Sequence, residues 1–256
     1  MRIHGQKMDL LVGSVMLRPY VYLFLAAFLI AGVRDLGVRR TLLFGGLVWP
    51  LAWVSEVASI RVGIPFGLYH YTGLTQEREL FIAGVPLFDS LSFTFLAYAA
   101  YCLARRILAG RTRPFGTTAV LAGLLMMMLD FVIDPAAVRG ERWFLGHLFY
   151  YPDGGMYFGV PLSNFAGWWL VGTLGVGAYE ACAGARRPVG ARRVRAGIAL
   201  YYAVLGFNLA VTAWIGEWGA LAVGSVLHAL AAAAVVTIVR RAPVRAVLET
   251  RGVQRA

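Results

Sequence analysis

Asp130 and Asp134 stand four residues apart in the run Met126-Met127-Met128-Leu129-Asp130-Phe131-Val132-Ile133-Asp134-Pro135. On a helix that spacing puts both carboxyls on one face. Two carboxyls in apolar surroundings suit proton chemistry, in which one gives a proton and the other holds a water or takes a proton back. Glu56, Asp89 and Glu217 also fall at the ends of apolar runs, on the same side of the chain's back-and-forth path, whereas Asp35, Glu180 and Glu249 fall toward the other side. Ionisable groups in apolar segments are costly and usually functional. A solvated helix end accounts equally well for Asp134 and Glu217. It accounts less well for Glu56 and Asp130, which lie about one turn or more inside their runs.

The elements that must position these acids are membrane helices. Of 256 residues, 59% are hydrophobic and 14% charged, with a mean hydropathy of +0.68, which excludes an ordinary soluble domain. A span needs about 20 mostly apolar residues. Seven segments qualify: 17–33, 41–60, 82–103, 115–133, 160–182, 196–216 and 218–239. The expected fold class is therefore all-α, a polytopic membrane helix bundle of about seven transmembrane helices. The first segment is the weakest, because Arg18-Pro19 interrupts its start. Met1–Leu17 lacks a basic region, apolar core and small-residue cleavage site in the usual order, so no cleaved signal peptide is expected. Residues 1–241 read as a single transmembrane bundle and 242–256 as a basic cytoplasmic tail.

The net charge of +11 would fit nucleic acid, but its distribution argues otherwise. With the N-terminus outside, 17 of the 24 basic residues fall on the inner side. That asymmetry is the positive-inside signal, which sets orientation without any acidic partner. The expectation is a multi-pass protein of the cell membrane, N-terminus outside and C-terminus cytoplasmic, in contact with membrane lipid and not with nucleic acid. Cys102 and Cys182 form neither a disulfide framework nor a metal knuckle. His70, His147 and His228 have no metal-ligand spacing, and no metal is expected; a hydrogen-bonded structural role suits His228. The single lysine, Lys7, leaves no Schiff-base lysine in the last span and no phosphate-loop lysine.

Helix polarity separates the acids. The second and fourth spans run outward, so Glu56 and Asp130 sit near helix C-termini, where the dipole opposes a negative charge. Both are thus candidates for a general acid, which must carry its proton at neutral pH. Asp89 lies in a first turn, where the dipole favours the ionised form, and suits a base or counter-charge. Asp134 precedes a proline, so the fourth span is expected to end there. The stretch Tyr157-Phe158-Gly159-Val160-Pro161-Leu162-Ser163-Asn164 has an echo 75 residues earlier, Gly84-Val85-Pro86-Leu87-Phe88-Asp89. Each copy follows a carboxylate-bearing span and a loop, and each places Asp89 or Asn164 three residues after its proline. The second and third spans thus read as a parallel repeat of the fourth and fifth, an arrangement that often places a site at the repeat interface. Asn164 can hydrogen-bond but cannot titrate. The aromatics Trp53, Tyr69, Tyr71, Trp143, Tyr157, Phe158, Trp168 and Trp169 lie at the same level. An interfacial belt explains any one of them; together their faces could stabilise a cation.

Taken together, Leu129-Asp130-Phe131-Val132-Ile133-Asp134-Pro135, Trp143 and Tyr157 through Trp168, with Glu56, Pro65-Phe66-Gly67-Leu68-Tyr69-His70-Tyr71-Thr72 and Gly84-Val85-Pro86, resemble the carotenoid biosynthesis membrane family that contains the carotenoid 1,2-hydratases. The resemblance covers residues 41–182 well and the rest by topology. The chain departs from it at Thr75-Gln76-Glu77-Arg78-Glu79, where a more apolar run would be expected. The resemblance implies hydration of the terminal double bond of an acyclic carotenoid end group, of lycopene, γ-carotene or bacterioruberin-precursor type, with no cofactor and with contact to other carotenoid enzymes. Asp130 or Glu56 would be the acid, Asp89 or Asp134 would hold the water, and Asn164 would position either. Tyr69, Tyr71, Trp143, Tyr157, Phe158 and Trp168 would line the substrate site. A membrane lycopene cyclase would form the same cation and close a ring. A small-solute transporter or lipid-binding membrane protein is the reading of another class, and the one-sided placement of the acids counts against it.

Overall fold

Prolines stand at the starts of three helices, Pro19, Pro86 and Pro161. In the computed structural model, which describes residues 2–184 and 193–240 and for residues 2–7 the backbone alone, α1 (Arg2–Leu17) meets α2 (Pro19–Leu36) at Arg18. Pro19 occupies a first helical position, where its missing N–H costs nothing. The mixed N-terminal stretch is thus a helix of its own, which the sequence reading did not assign. The chain continues through α3 (Val38–Val62), strands β1 (His70–Tyr71), β2 (Phe81–Ile82) and β3 (Val85–Pro86), α4 (Leu87–Ile107), α5 (Thr117–Ala137), β4 (Phe149–Tyr150), α6 (Leu162–Ala183), α7 (Arg195–Trp214) and α8 (Trp218–Arg240). The expected tail 242–256 and most of the basic linker after α6 lie outside the described residues.

Six of these helices, α2, α3, α4, α5, α7 and α8, are long and apolar enough to cross a membrane. The protein is an all-α, multi-pass membrane bundle. The seventh expected span, α6, is 22 residues long but is diluted by glycines, Asn164 and Glu180, and it is not among the six. It instead packs tightly along α5. Helix α4 is the centre: 78% of its apolar window is buried, against 11% for the peripheral α8.

The echoed stretches share one local geometry. Ile82 pairs with Val85 across Ala83-Gly84, and Tyr157 pairs with Val160 across Phe158-Gly159. In both turns the two central residues have positive φ, 53° and 89° in the first, 50° and 87° in the second. This is the mirror-image hairpin turn, and it needs glycine at its second central position here. Pro86 and Pro161 then cap α4 and α6 in extended conformation. The loop between α3 and α4 and the loop between α5 and α6 also join each other, because β1 pairs antiparallel with β4, His70 opposite Tyr150 and Tyr71 opposite Phe149.

Contrary to the expectation from Asp134-Pro135, α5 does not stop at Asp134 but runs to Ala137 with Pro135 inside it. Proline cannot donate to the carbonyl four residues back, so Phe131 loses its helical partner. The Tyr157 hydroxyl donates to that carbonyl at 3.3 Å. Burying an unpaired carbonyl in an apolar bundle is costly, and Tyr157 removes that cost.

Helices α5 and α6 touch backbone to backbone. A Cβ on Gly123 would lie 2.5 Å from the Trp169 carbonyl and 2.8 Å from the Thr173 nitrogen. Gly123→Ala is therefore expected to destabilise the bundle by about 1–3 kcal/mol, the usual cost of overpacking. Gly206→Ala in α7, where nothing lies within 4 Å, should be neutral or gain up to about 1 kcal/mol from helix propensity. Thermal unfolding in detergent, followed by circular dichroism, reads both signs; an unchanged midpoint for Gly123→Ala would refute the close contact. By the same assay Tyr157→Phe should cost about 1–2 kcal/mol through the carbonyl it leaves unpaired.

Candidate active site

At one end of the bundle, residues of α2, α3, α4, α5, α6 and α7 and of the loops between them line a cavity of about 140 Å³. Its polar lining is Arg18, Glu56, Asp89, Ser92, Asp134, Asn164 and Asn208, and its aromatic lining includes Tyr69, Tyr71, Trp143, Tyr151 and Trp168. One water needs about 10–15 Å³ by such a measure. The space therefore accommodates a few waters or a short branched chain end.

Asn164 stands in the first turn of α6, with its backbone N–H bonded to the Pro161 carbonyl at 3.0 Å. From there its side-chain amide donates both protons across to α5, to Asp130 Oδ2 at 2.6 Å and to Asp134 Oδ2 at 2.8 Å. The i, i+4 spacing places the two carboxyls on one face, and a single amide bridges them. Asp130 is fully buried, and its Oδ1 has no partner among the described residues. It does not line the cavity, whereas Asp134 and Asn164 do.

Across the cavity, Glu56 on α3 is 5% exposed, and its Oε2 has no hydrogen-bond partner among the described residues. It lies within electrostatic range of Asp89, Arg18 and Asp134. Asp89 is not free: Arg18 Nη1 donates to its Oδ1. The rest of the Arg18 fork is taken by Glu79, with Nε to Oε2 at 2.8 Å and Nη2 to Oε1 at 3.0 Å. Glu79 in turn accepts from the Thr75 hydroxyl. Neither Arg18 nor Glu79 was among the residues singled out from the sequence. Arg18 read only as an interruption of an apolar segment. The available signal was an arginine at the start of an apolar run with an unmatched acid in a following loop.

The aromatic lining is ordered. Trp168 stacks on Phe93 with centroids 4.4 Å apart and planes at 18°. Tyr69 meets Tyr71, Phe149 and Tyr151 edge-on or tilted. Burial first, then the Glu56 carboxylate, holds the Tyr69 and Tyr71 phenols well above their usual range, so both remain protonated donors. Trp143 is 5% exposed and part of the wall. Tyr157 and Phe158 do not line the cavity. Tyr157 packs on Phe131 and Phe165, while Phe158 lies under the Arg139 guanidinium at 5.9 Å. Glu217 is also elsewhere, paired with Arg139 at 3.1 Å and Arg142 at 2.7 Å. His228 bonds the Met128 carbonyl at 2.8 Å, the structural role expected of it.

The arrangement can therefore deliver a proton from a carboxyl with a free oxygen, hold water at a second carboxyl, and surround a transient cation with aromatic faces and negative charge. The chain is 29% identical over 177 residues to a bisanhydrobacterioruberin hydratase of Haloarcula japonica, a match covering 67% of this chain and 57% of that relative. It thus spans a little over half the length of the curated relative it matches. No solved structure matches the chain. The pattern of one family, described as carotenoid biosynthesis protein, matches residues 15–231, and the chain belongs to that family.

Proposed function

We propose that the protein is a carotenoid 1,2-hydratase, which adds water to the terminal double bond of an acyclic carotenoid end group. The observation that carries this reading is the cavity itself, where Glu56, Asp89, Asp134 and Asn164 face one another among tyrosines and tryptophans. The name of the Haloarcula japonica relative supports it. Glu56, with its unpartnered oxygen, is the acid. Its proton goes to the alkene carbon that leaves a tertiary cation at the branched carbon. Asp134 holds the water, with Asn164 fixing its carboxylate and Asp130 as the second carboxyl that shares the released proton. Water attacks the cation, its spare proton passes to Asp134, and exchange among the carboxyls restores Glu56. The product is a tertiary alcohol. The net reaction is alkene plus water, so no oxidant or reductant enters and no cofactor is needed for balance.

Asp89 and the faces of Tyr69, Tyr71, Trp143 and Trp168 stabilise the cation. The polyene itself exceeds the cavity, so only its end group enters and the rest extends among helices and membrane lipid. The basic residues of the inner loops orient the bundle with its N-terminus outside and its C-terminus cytoplasmic. Contact with other carotenoid enzymes would follow from the insolubility of the substrate in water.

Expression in a host that accumulates acyclic carotenoids, in water enriched in oxygen-18, is expected to give a pigment heavier by one labelled water. An isomer of unchanged mass would identify a cyclase instead, and unchanged pigment with the protein present in the membrane would overturn both. Glu56→Gln is expected to lower kcat by roughly 10²–10⁴-fold, the range for a lost general acid, with KM little changed. Asp134→Asn should lose more activity than Asp130→Asn, because only Asp134 reaches the cavity; the reverse order in a pigment assay would reassign their roles.

A further inference from the structure

Arg18 is a cation on the wall of a cavity in which the reaction proposed above forms a second cation, so its charge must be accounted for. Its side chain is 3% exposed and that of Glu79 is 0% exposed, while Asp89 keeps 22% open. The fork is divided: Nε and Nη2 go to Glu79, and Nη1 goes to Asp89. A guanidinium is planar, always charged and rigid in the directions of its donors. Holding two edges of it on Glu79 therefore fixes where the third points. The trio of one cation and two carboxylates carries one net negative charge; Arg18 and Asp89 both line the cavity, and Glu79, which neutralises Arg18, lies behind them. The segment that supplies Glu79 is anchored separately. The Thr75 hydroxyl donates to Glu79, the Leu80 N–H donates to Ser14 Oγ at 2.8 Å, and Gly13 of α1 packs against the Arg78 backbone. Helix α1 and this loop thus hold Glu79 in place from outside the cavity.

We propose that Arg18 and Glu79 are positioning residues for the hydration reaction, Glu79 taking up the charge of Arg18 so that Arg18 can pin Asp89 while leaving the cavity wall net negative where the substrate cation forms. The inference rests on the hydratase reading and adds two residues to it. It also gives a role to the Thr75–Glu79 stretch, the place where the sequence departs from what its resemblance led one to expect. With Glu79 absent, Arg18 would neutralise Asp89 and the wall would lose its preorganised charge.

The test compares wild type, Glu79→Gln, Glu79→Asp and Arg18→Lys in membranes supplied with an acyclic carotenoid. Hydrated product is measured by mass spectrometry and binding by the shift of the polyene's visible absorption. Glu79→Gln is expected to lower kcat by roughly tenfold, equivalent to about 1.4 kcal/mol of transition-state stabilisation, with binding unchanged. Glu79→Asp, which keeps the charge, should recover most of the rate. Arg18→Lys, which keeps the charge but not the fork, should lower kcat without weakening binding. If Glu79→Gln does not accumulate as folded protein, Arg18→Lys decides alone. Equal losses in Glu79→Gln and Glu79→Asp, a loss in binding only, or wild-type rates in Arg18→Lys would overturn the inference while leaving the hydratase reading intact. A wild type that binds but never hydrates would overturn that reading, and this inference with it.

Discussion

Burying charge in an apolar bundle is the constraint on which this architecture depends. An ion taken out of water costs several kcal/mol unless it is paired and hydrogen-bonded, and removing one partner of a buried pair costs roughly 3–5 kcal/mol. Arg18 meets that constraint with two carboxylates from different elements, Glu79 in the loop and Asp89 on α4. A simpler pair stands at the other end of the bundle, where Arg105 of α4 meets a single carboxylate, Asp35 of α2, beside Tyr98 and Cys102. Both clusters tie a peripheral element to α4, the most buried helix. The pairs therefore fix the register of α1, α2 and the loop between α3 and α4 against the centre, as well as neutralising charge.

The carboxylates of α5 obey a related rule with a neutral partner. Among the described residues no cation bonds Asp130 or Asp134; Asn164 gives each one amide proton. That bridge requires α5 and α6 to approach more closely than ordinary side chains permit. Gly123 and Gly172 supply the space, Gly172 lying where a Cβ would meet the Gly123 backbone at 2.9 Å. It also requires α6 to begin at a set height, which the Phe158-Gly159 turn and Pro161 determine. The matching Ala83-Gly84 turn and Pro86 set the start of α4 and so the height of Asp89. One local device, used twice, delivers a polar residue to each side of the same cavity.

Some residues near the site keep the scaffold intact. Tyr157 closes the carbonyl that Pro135 leaves open, and Arg139 and Arg142 hold the loop after α5 to Glu217 at the turn between α7 and α8. The resemblance implies Tyr157 and Phe158 as lining residues, but Tyr157 satisfies a backbone carbonyl and packs on Phe131 and Phe165, and Phe158 lies against Arg139. The cavity wall comes instead from the other four expected lining residues, Tyr69, Tyr71, Trp143 and Trp168, with Tyr151 beside them, and the pairing of β1 with β4 joins the two loops that carry the tyrosines.

What the sequence determined by itself was whatever local composition and spacing can express. Long apolar runs require membrane helices because lipid offers the backbone no other partner. The spacing of Asp130 and Asp134 required a shared helix face, and the repeated Gly-Val-Pro-Leu required two similar helix starts. Those features placed Glu56, Asp89, Asp134 and Asn164 at one end before any fold was known. Only the tertiary structure decided which groups bond. Nothing local says that Asn164 faces α5, that Asp130 is set behind Asp134, or that Pro135 is tolerated because a tyrosine 22 residues on replaces its missing hydrogen bond. The pairing of Arg18 with Glu79 was equally invisible, since 61 residues separate them. Neither residue has a periodicity to betray it, and the energy that joins them exists only once both have been removed from water.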